Sequence, residues 1–338
     1  MSFVTEPDFD RVLKTVKRTG IPDRIPIMEF FASGEFKVKA MKRESIPVDV
    51  DIEFWRGIGM DYIPLYLYWG IPLRRARKRK GLNPNLLEQI EGAVETMEDI
   101  EKLEWPTWEA QDWTAFDQVG RYLPDGMKMI AAGGYIFAEA WMLMGFNSFC
   151  MALYDDPTIP EELMRRLAEF RISTIKQIID HPDLGAVWFD DDIAFATGTM
   201  VSHEFLSENL FPYMKIIADM CKKRGIPFIY HSDGNLAGVI PDLIELGVDA
   251  IQPVEPLAMD AVEVKGQYGN RLSLIGNVEI NTLARGTNEE IEQLVIDAAR
   301  RLGPGGGYAF GSSNTIPAWA DYDKYLFFRD CCLKHGTY

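Results

Sequence analysis

Cysteine and histidine are both scarce, with four of each in 338 residues. Cys150, Cys221, Cys331 and Cys332 form no CxxC or CxH pattern. That spacing shows neither a disulfide framework nor a thiolate metal site, and it is the usage of a reduced, intracellular chain. No uninterrupted apolar run reaches the roughly 18 residues of a membrane span, so none is expected. The N-terminal MSFVTEPDFDRVLKTVKRTG lacks the basic-then-apolar layout of a signal peptide, and a cytoplasmic location is the expectation. Positive charge is short as well, with Lys+Arg 35 against Asp+Glu 51 and a net charge of −16. A surface of that sign argues against nucleic acid as a partner. The one basic run, Arg74 to Lys80, reads as a solvated face, as an anion clamp, or as a docking patch for an acidic protein.

What the chain does have is a dense stretch from Pro227 to Glu255, PFIYHSDGNLAGVIPDLIELGVDAIQPVE. A short apolar run, Pro227 to Tyr230, breaks into His231-Ser232-Asp233-Gly234-Asn235. Val239, Ile240, Leu243, Ile244 and Leu246 follow at helical spacing, Gly247 stops them, and a second apolar run leads to Gln252-Pro253-Val254-Glu255. Strand, polar loop, helix, strand is the order of a parallel βαβ unit. Chemistry in such units sits in the loop after the strand. The same five residues also suit a plain turn, with Asn235 as a helix cap.

Strand-like runs recur along the whole chain. They are Arg24 to Phe30, Asp61 to Trp69, Met127 to Gly134, Ala186 to Phe189, the two just described, Leu272 to Asn277, and Tyr308 to Asn314. Helical patterns separate them and no linker is visible, so one domain over residues 1–338 is expected. Eight strands with helical spacers predict an α/β fold, a single (β/α)8 TIM barrel. Residues 70–125 break the rhythm, and they predict an insertion or cover built from a hairpin and helices.

In a barrel the strand ends share one mouth. Those ends offer Glu29, Tyr66 or Trp69, Gly133-Gly134, Asp190 to Asp192, His231 with Asp233, Glu255, Asn277, and Ser312 to Asn314. Three successive aspartates after an apolar strand crowd like charges. Some of them are expected to meet a positive group or to hold a raised pKa.

WFDDDIAFATGTMVSHEFLSENLFPYMK, PFIYHSDGNLAGVIPDLIELGVDAIQPVEP, LIGNVEI with LARGT, and GPGGGYAFGSSNTIP resemble the uroporphyrinogen decarboxylase superfamily. The likeness covers the C-terminal half closely and the first 25–70 residues loosely. It implies a (β/α)8 barrel with either of two activities, decarboxylation of porphyrinogens or corrinoid-linked methyl transfer. Decarboxylases of the family carry an arginine-bearing segment, FMRQAGRY, that grips the substrate's carboxylates. This chain has Ile27-Met28-Glu29-Phe30-Phe31-Ala32-Ser33-Gly34 there, with no arginine and one carboxylate. The methyltransferase branch holds zinc through His-x-Cys and a later Cys. Here those positions read His231-Ser232-Asp233 and Ser312 or Ser313.

Zinc accepts imidazole and carboxylate ligands, and a harder donor set suits polarising an ether or alcohol oxygen. The resemblance with these substitutions implies a methyltransferase, closer to the corrinoid-linked branch. It would act in O-demethylation, moving a methyl group from a small methylated or methoxylated donor to a corrinoid protein. The expected catalytic residues are His231, Asp233, Asp190 and Asp192. His231 and Asp233 are the expected Zn2+ ligands, with a metal-free site as the alternative. Glu29, Tyr66, Trp69, Tyr135, Glu255, Asn277, Ser313 and Asn314 are expected to bind substrate. The corrinoid would be supplied by a partner protein, and a homodimer is compatible. The alternatives are a decarboxylase of a small acid gripped by Arg74, Arg75 or Arg77, and a non-catalytic binding barrel.

Overall fold

Leu184–Asp190 is buried at every position, as a central parallel strand must be when both of its faces are covered. It lies inside the sheet, flanked by a strand on each side, in a computed structural model that describes residues 5–67, 77–78 and 90–338. The strands are β1 (Tyr62–Tyr66), β2 (Arg77–Lys78), β3 (Ile90–Glu91), β4 (Lys128–Ala132), β5 (Leu184–Asp190) and β6 (Ala194–Phe195). They continue as β7 (Gly198–Thr199), β8 (Phe228–His231), β9 (Ala250–Gln252), β10 (Ser273–Ile275) and β11 (Tyr308–Ala309). One seven-stranded parallel sheet runs β1-β4-β5-β8-β9-β10-β11. This is an α/β, TIM-like fold.

The expected first strand is not continuous, which corrects the closed eight-stranded barrel. Within residues 24–30, Ile27 forms a parallel bridge with Phe310. The Met28 N–H donates to the Phe310 carbonyl at 2.7 Å, and the Phe310 N–H donates to Pro26 at 2.9 Å. On the other flank, side chains span the gap. The Tyr62 hydroxyl donates to the Glu29 carbonyl at 2.8 Å and the Tyr66 hydroxyl donates to that of Phe30. The Leu67 N–H points to β4, where it meets Ala132 at 2.7 Å. By alternation Pro64 faces the gap, and proline has no N–H to give.

The described residues within 70–125 hold the expected kinds of element. β2 and β3 pair antiparallel, with Arg77 opposite Glu91. Helices Met97–Glu101 and Thr114–Tyr122 follow, and the second packs on helix Val48–Gly57. Helix Asn288–Leu302 is started by a capping box between Thr287 and Glu290. A continuous apolar cluster takes in Val12, Trp55, Trp188, Tyr230, Leu274 and Phe328. Among the described residues, no helix is long and apolar enough to cross a membrane.

Candidate functional site

The pairing register builds the site. Asp190 at the end of β5 lies opposite His231 at the end of β8, and His231 lies opposite Gln252 at the end of β9. Directly paired residues of parallel strands project from the same face, so three polar side chains meet where the strands end. The turns after β5 and β8 then add Asp192 and Asp233. His231 Nε2 is 3.8 Å from Asp192 Oδ1 and 3.9 Å from Asp233 Oδ1. The Asp233 N–H donates to Asp192 Oδ1 at 2.8 Å, which holds the two turns together.

His231 is not the loosely held loop imidazole its small neighbours suggest. It closes a strand, is only 7% exposed, and stacks on Phe30 with ring centroids 4.5 Å apart. Nδ1 faces Gln252 Oε1 at 2.5 Å. Gln252 is fully buried, and its amide nitrogen donates to the Asn314 carbonyl at 3.1 Å. Asn314 in turn donates from Nδ2 to Asp233 Oδ2 at 2.7 Å. Gln252 was missed in the sequence, although it is a polar residue ending a buried run.

Burial pushes the Asp233 carboxyl up to about 6. His231 opposes that rise, and the Asp192 and Glu255 carboxylates add to it. Asp233 Oδ1 is buried and meets no hydrogen-bond donor. A buried oxygen left in that state is costly unless something satisfies it. One imidazole nitrogen and two carboxylates lie with their donor atoms within 4.8 Å of one another, in Asp192, His231 and Asp233. These are donors that a divalent cation accepts, so the residues fit a metal.

The other expected residues divide. Asp190 is buried at the mouth, where its carbonyl accepts the Tyr135 N–H at 2.8 Å. Tyr135 sits half-buried with φ 57°. Glu255 accepts the Gly234 N–H at 2.8 Å, one residue from Asp233. With Ser313 and Asn314 it lines a cavity of about 310 Å³ that also takes in Leu257, Glu279 and Trp319. Asn277 spends its amide on the Val254 carbonyl at 2.8 Å, and the Ser313 hydroxyl accepts the Ile280 N–H at 3.2 Å. Both therefore shape loops. Tyr66 is tied to Phe30 as described, and Trp69 lies outside the described residues. So do the side chains of Arg74, Arg75 and Arg77.

Glu29 is not placed to meet substrate. It is fully buried, accepting from the Ser312 N–H at 2.8 Å, the Ser312 hydroxyl at 2.6 Å and the Tyr325 hydroxyl at 2.8 Å. Burial lifts it to about 7 against those three donors. It joins the first segment to the last helix. Asn235, read as a possible helix cap, makes a local turn instead, accepting the Ala237 N–H at 3.0 Å, while Val239 caps the helix.

An α/β fold with polar and titratable side chains converging at the strand ends is the framework of a small-molecule enzyme or binding protein. The Uroporphyrinogen decarboxylase (URO-D) family model matches residues 79–335, and the chain belongs to that family. It is 27% identical over 179 residues to a uroporphyrinogen decarboxylase of Anaeromyxobacter dehalogenans (strain 2CP-C), covering 51% of this chain and 47% of that one. A second, from Anaeromyxobacter sp. (strain Fw109-5), is 24% identical over 172 residues with the same coverage. The chain thus spans about half the length of the curated relatives it matches. A methyltransferase from Methanosarcina mazei has the same fold, with TM-score 0.71 at 15% identity over 97% of this chain and 99% of that one.

Proposed function

We propose that this chain is a cytoplasmic, single-domain methyltransferase of its family. It would move a methyl group from a small methylated or methoxylated donor to the cobalt of a corrinoid partner. The observation that carries this reading is the Asp192–His231–Asp233 cluster, with one buried carboxylate oxygen left unsatisfied. The Methanosarcina fold neighbour, itself named a methyltransferase, supports it. Asp192, His231 and Asp233 would hold the metal, Zn2+ being the first candidate. When bound, it would supply Lewis acidity toward the donor's oxygen.

The chain's own residues do the rest. The carbon–oxygen bond breaks, the methyl group goes to cobalt, and the freed oxygen takes a proton. Asp190, buried beside His231, would hand it over. Glu255 and Asn314 line the cavity beside the cluster and orient the donor. A cavity of about 310 Å³ suits a small molecule. The net charge of −16 suits neither nucleic acid nor a polycarboxylate.

The second reading is a decarboxylase of a small acid, favoured by the names of the two curated relatives. One experiment separates the two. Purified protein is assayed for metal, then titrated spectrally with cob(I)alamin and methoxylated donors. Methyl transfer bleaches the cob(I)alamin spectrum. Release of carbon dioxide with an unchanged cobalt spectrum would sink the first reading, and neither signal would favour a binding protein.

A further inference from the structure

We propose that Gln252 is a positioning residue that holds His231 in the Nδ1–H form and turns its bare Nε2 toward Asp192 and Asp233. The inference rests on the reading of His231 as a ligand. It starts from the amide's two ends. The Asn314 carbonyl can only accept, so the group 3.1 Å from it must be the amide nitrogen of Gln252. That leaves Oε1 facing the imidazole at 2.5 Å. A lone pair on Nδ1 would be repelled there, so Nδ1 carries the proton. Flipping the amide would set oxygen against oxygen at Asn314.

Nε2 then carries the lone pair available to a metal, and it is the atom that faces both carboxylates, at 3.8 and 3.9 Å. Gln252 can do this because it is fully buried and paired in register with His231 on the adjacent strand. The Ser232 N–H also donates to the Gln252 carbonyl at 3.1 Å, which locks the two strand ends. Asn314 completes a ring. Its carbonyl fixes Gln252, and its side chain fixes Asp233 through Oδ2. One loop residue thus sets both the imidazole and the second carboxylate.

A neutral amide suits this place better than a carboxylate. Asp192, Asp233 and Glu255 already crowd the face, and a fourth negative charge would add repulsion. The amide orients the ring without adding charge.

The test uses the full chain labelled with 15N-histidine, whose four histidines allow His231 to be assigned by its loss in His231→Asn. At a pH where the ring is neutral, the wild-type His231 should show a protonated Nδ1 and a bare Nε2. Gln252→Leu should move the proton to Nε2, the form an unconstrained imidazole prefers. Its affinity for Zn2+ alone should fall about 10- to 100-fold. A wild-type ring protonated on Nε2, or a Gln252→Leu ring unchanged from wild type, overturns the proposal. If Gln252→Leu fails to fold, Gln252→Met, close to the native side chain in length, is read in its place, and a ring unchanged from wild type overturns the proposal. A wild type with the Nδ1–H ring, lost in Gln252→Leu, but with no Zn2+ binding supports the role of Gln252 while sinking the metal reading.

Discussion

The carboxylate of Asp191 accepts the backbone N–H of Ala138 at 2.7 Å. It also accepts Ile136 at 3.0 Å and Phe137 at 2.8 Å, so one side chain caps the start of helix Phe137–Met144. Its neighbours Asp190 and Asp192 face the mouth instead. Burial raises Asp191 to about 7 even against those three donors, with only the smallest contribution from the neighbouring Asp190 charge.

Asp191→Ala and Asp192→Ala should therefore fail in opposite ways. The first strands three helix N–H groups and should cost about 2–4 kcal/mol in urea unfolding. The second removes a half-buried carboxylate and the acceptor of the Asp233 N–H, and should cost only about 1 kcal/mol. Zn2+ at about 100 times its dissociation constant should stabilise wild type and Asp191→Ala by about 2.7 kcal/mol. Asp192→Ala should lose most of that increment, and equal increments in all three would remove Asp192 from the metal site.

His231→Ala should lower methyl transfer at least about 100-fold. It should also cost about 1–3 kcal/mol of stability, because the ring is stacked on Phe30 and Gln252 Oε1 loses its donor. Melting temperature and turnover are measured on the same preparation. Near-normal turnover with a lowered melting temperature would make His231 a packing residue only.

Glu29 gives a pH signature of stability. In the folded chain it holds its proton to about 7, against 4.5 for the ordinary side chain. The sign follows from that rise. Its contribution is complete below about pH 4.5 and is lost as pH climbs through 7, a change of about 3 kcal/mol. Glu29→Gln cannot titrate, so the gap between wild type and variant in urea unfolding should change by that amount across the window. Parallel curves from pH 4.5 to 8 would show that Glu29 titrates normally.

Gly134→Ala tests the floor of the site. A Cβ there would lie 2.1 Å from the Asp190 carbonyl oxygen, whereas one at Gly133 would lie 3.2 Å from the Leu67 side chain. A shift of a few tenths of an ångström relieves the contact at Gly133, whereas at Gly134 the β5 backbone itself must move. Gly134→Ala should lose about 2–4 kcal/mol and Gly133→Ala distinctly less. The reverse order in thermal melts would contradict the packing at the end of β4.

Much of this was legible in the amino-acid order. Buried runs such as Ala186 to Phe189 and Tyr308 to Ala309 can be satisfied only as covered parallel strands, and parallel strands put their C-terminal residues at one mouth. That brought Asp190, Asp192, His231, Asp233 and Glu255 together on paper. Finer assignments depended on the folded chain. Strand alternation and the entry of helix Phe137–Met144 made Asp191 a cap between two mouth residues. The Ser312 and Tyr325 donors claimed Glu29. Pro64, with no N–H toward residues 24–30, left the flank between that segment and β1 to side-chain contacts. Gln252 became the partner of His231 through register, which is a relation between strands and is written in neither strand alone.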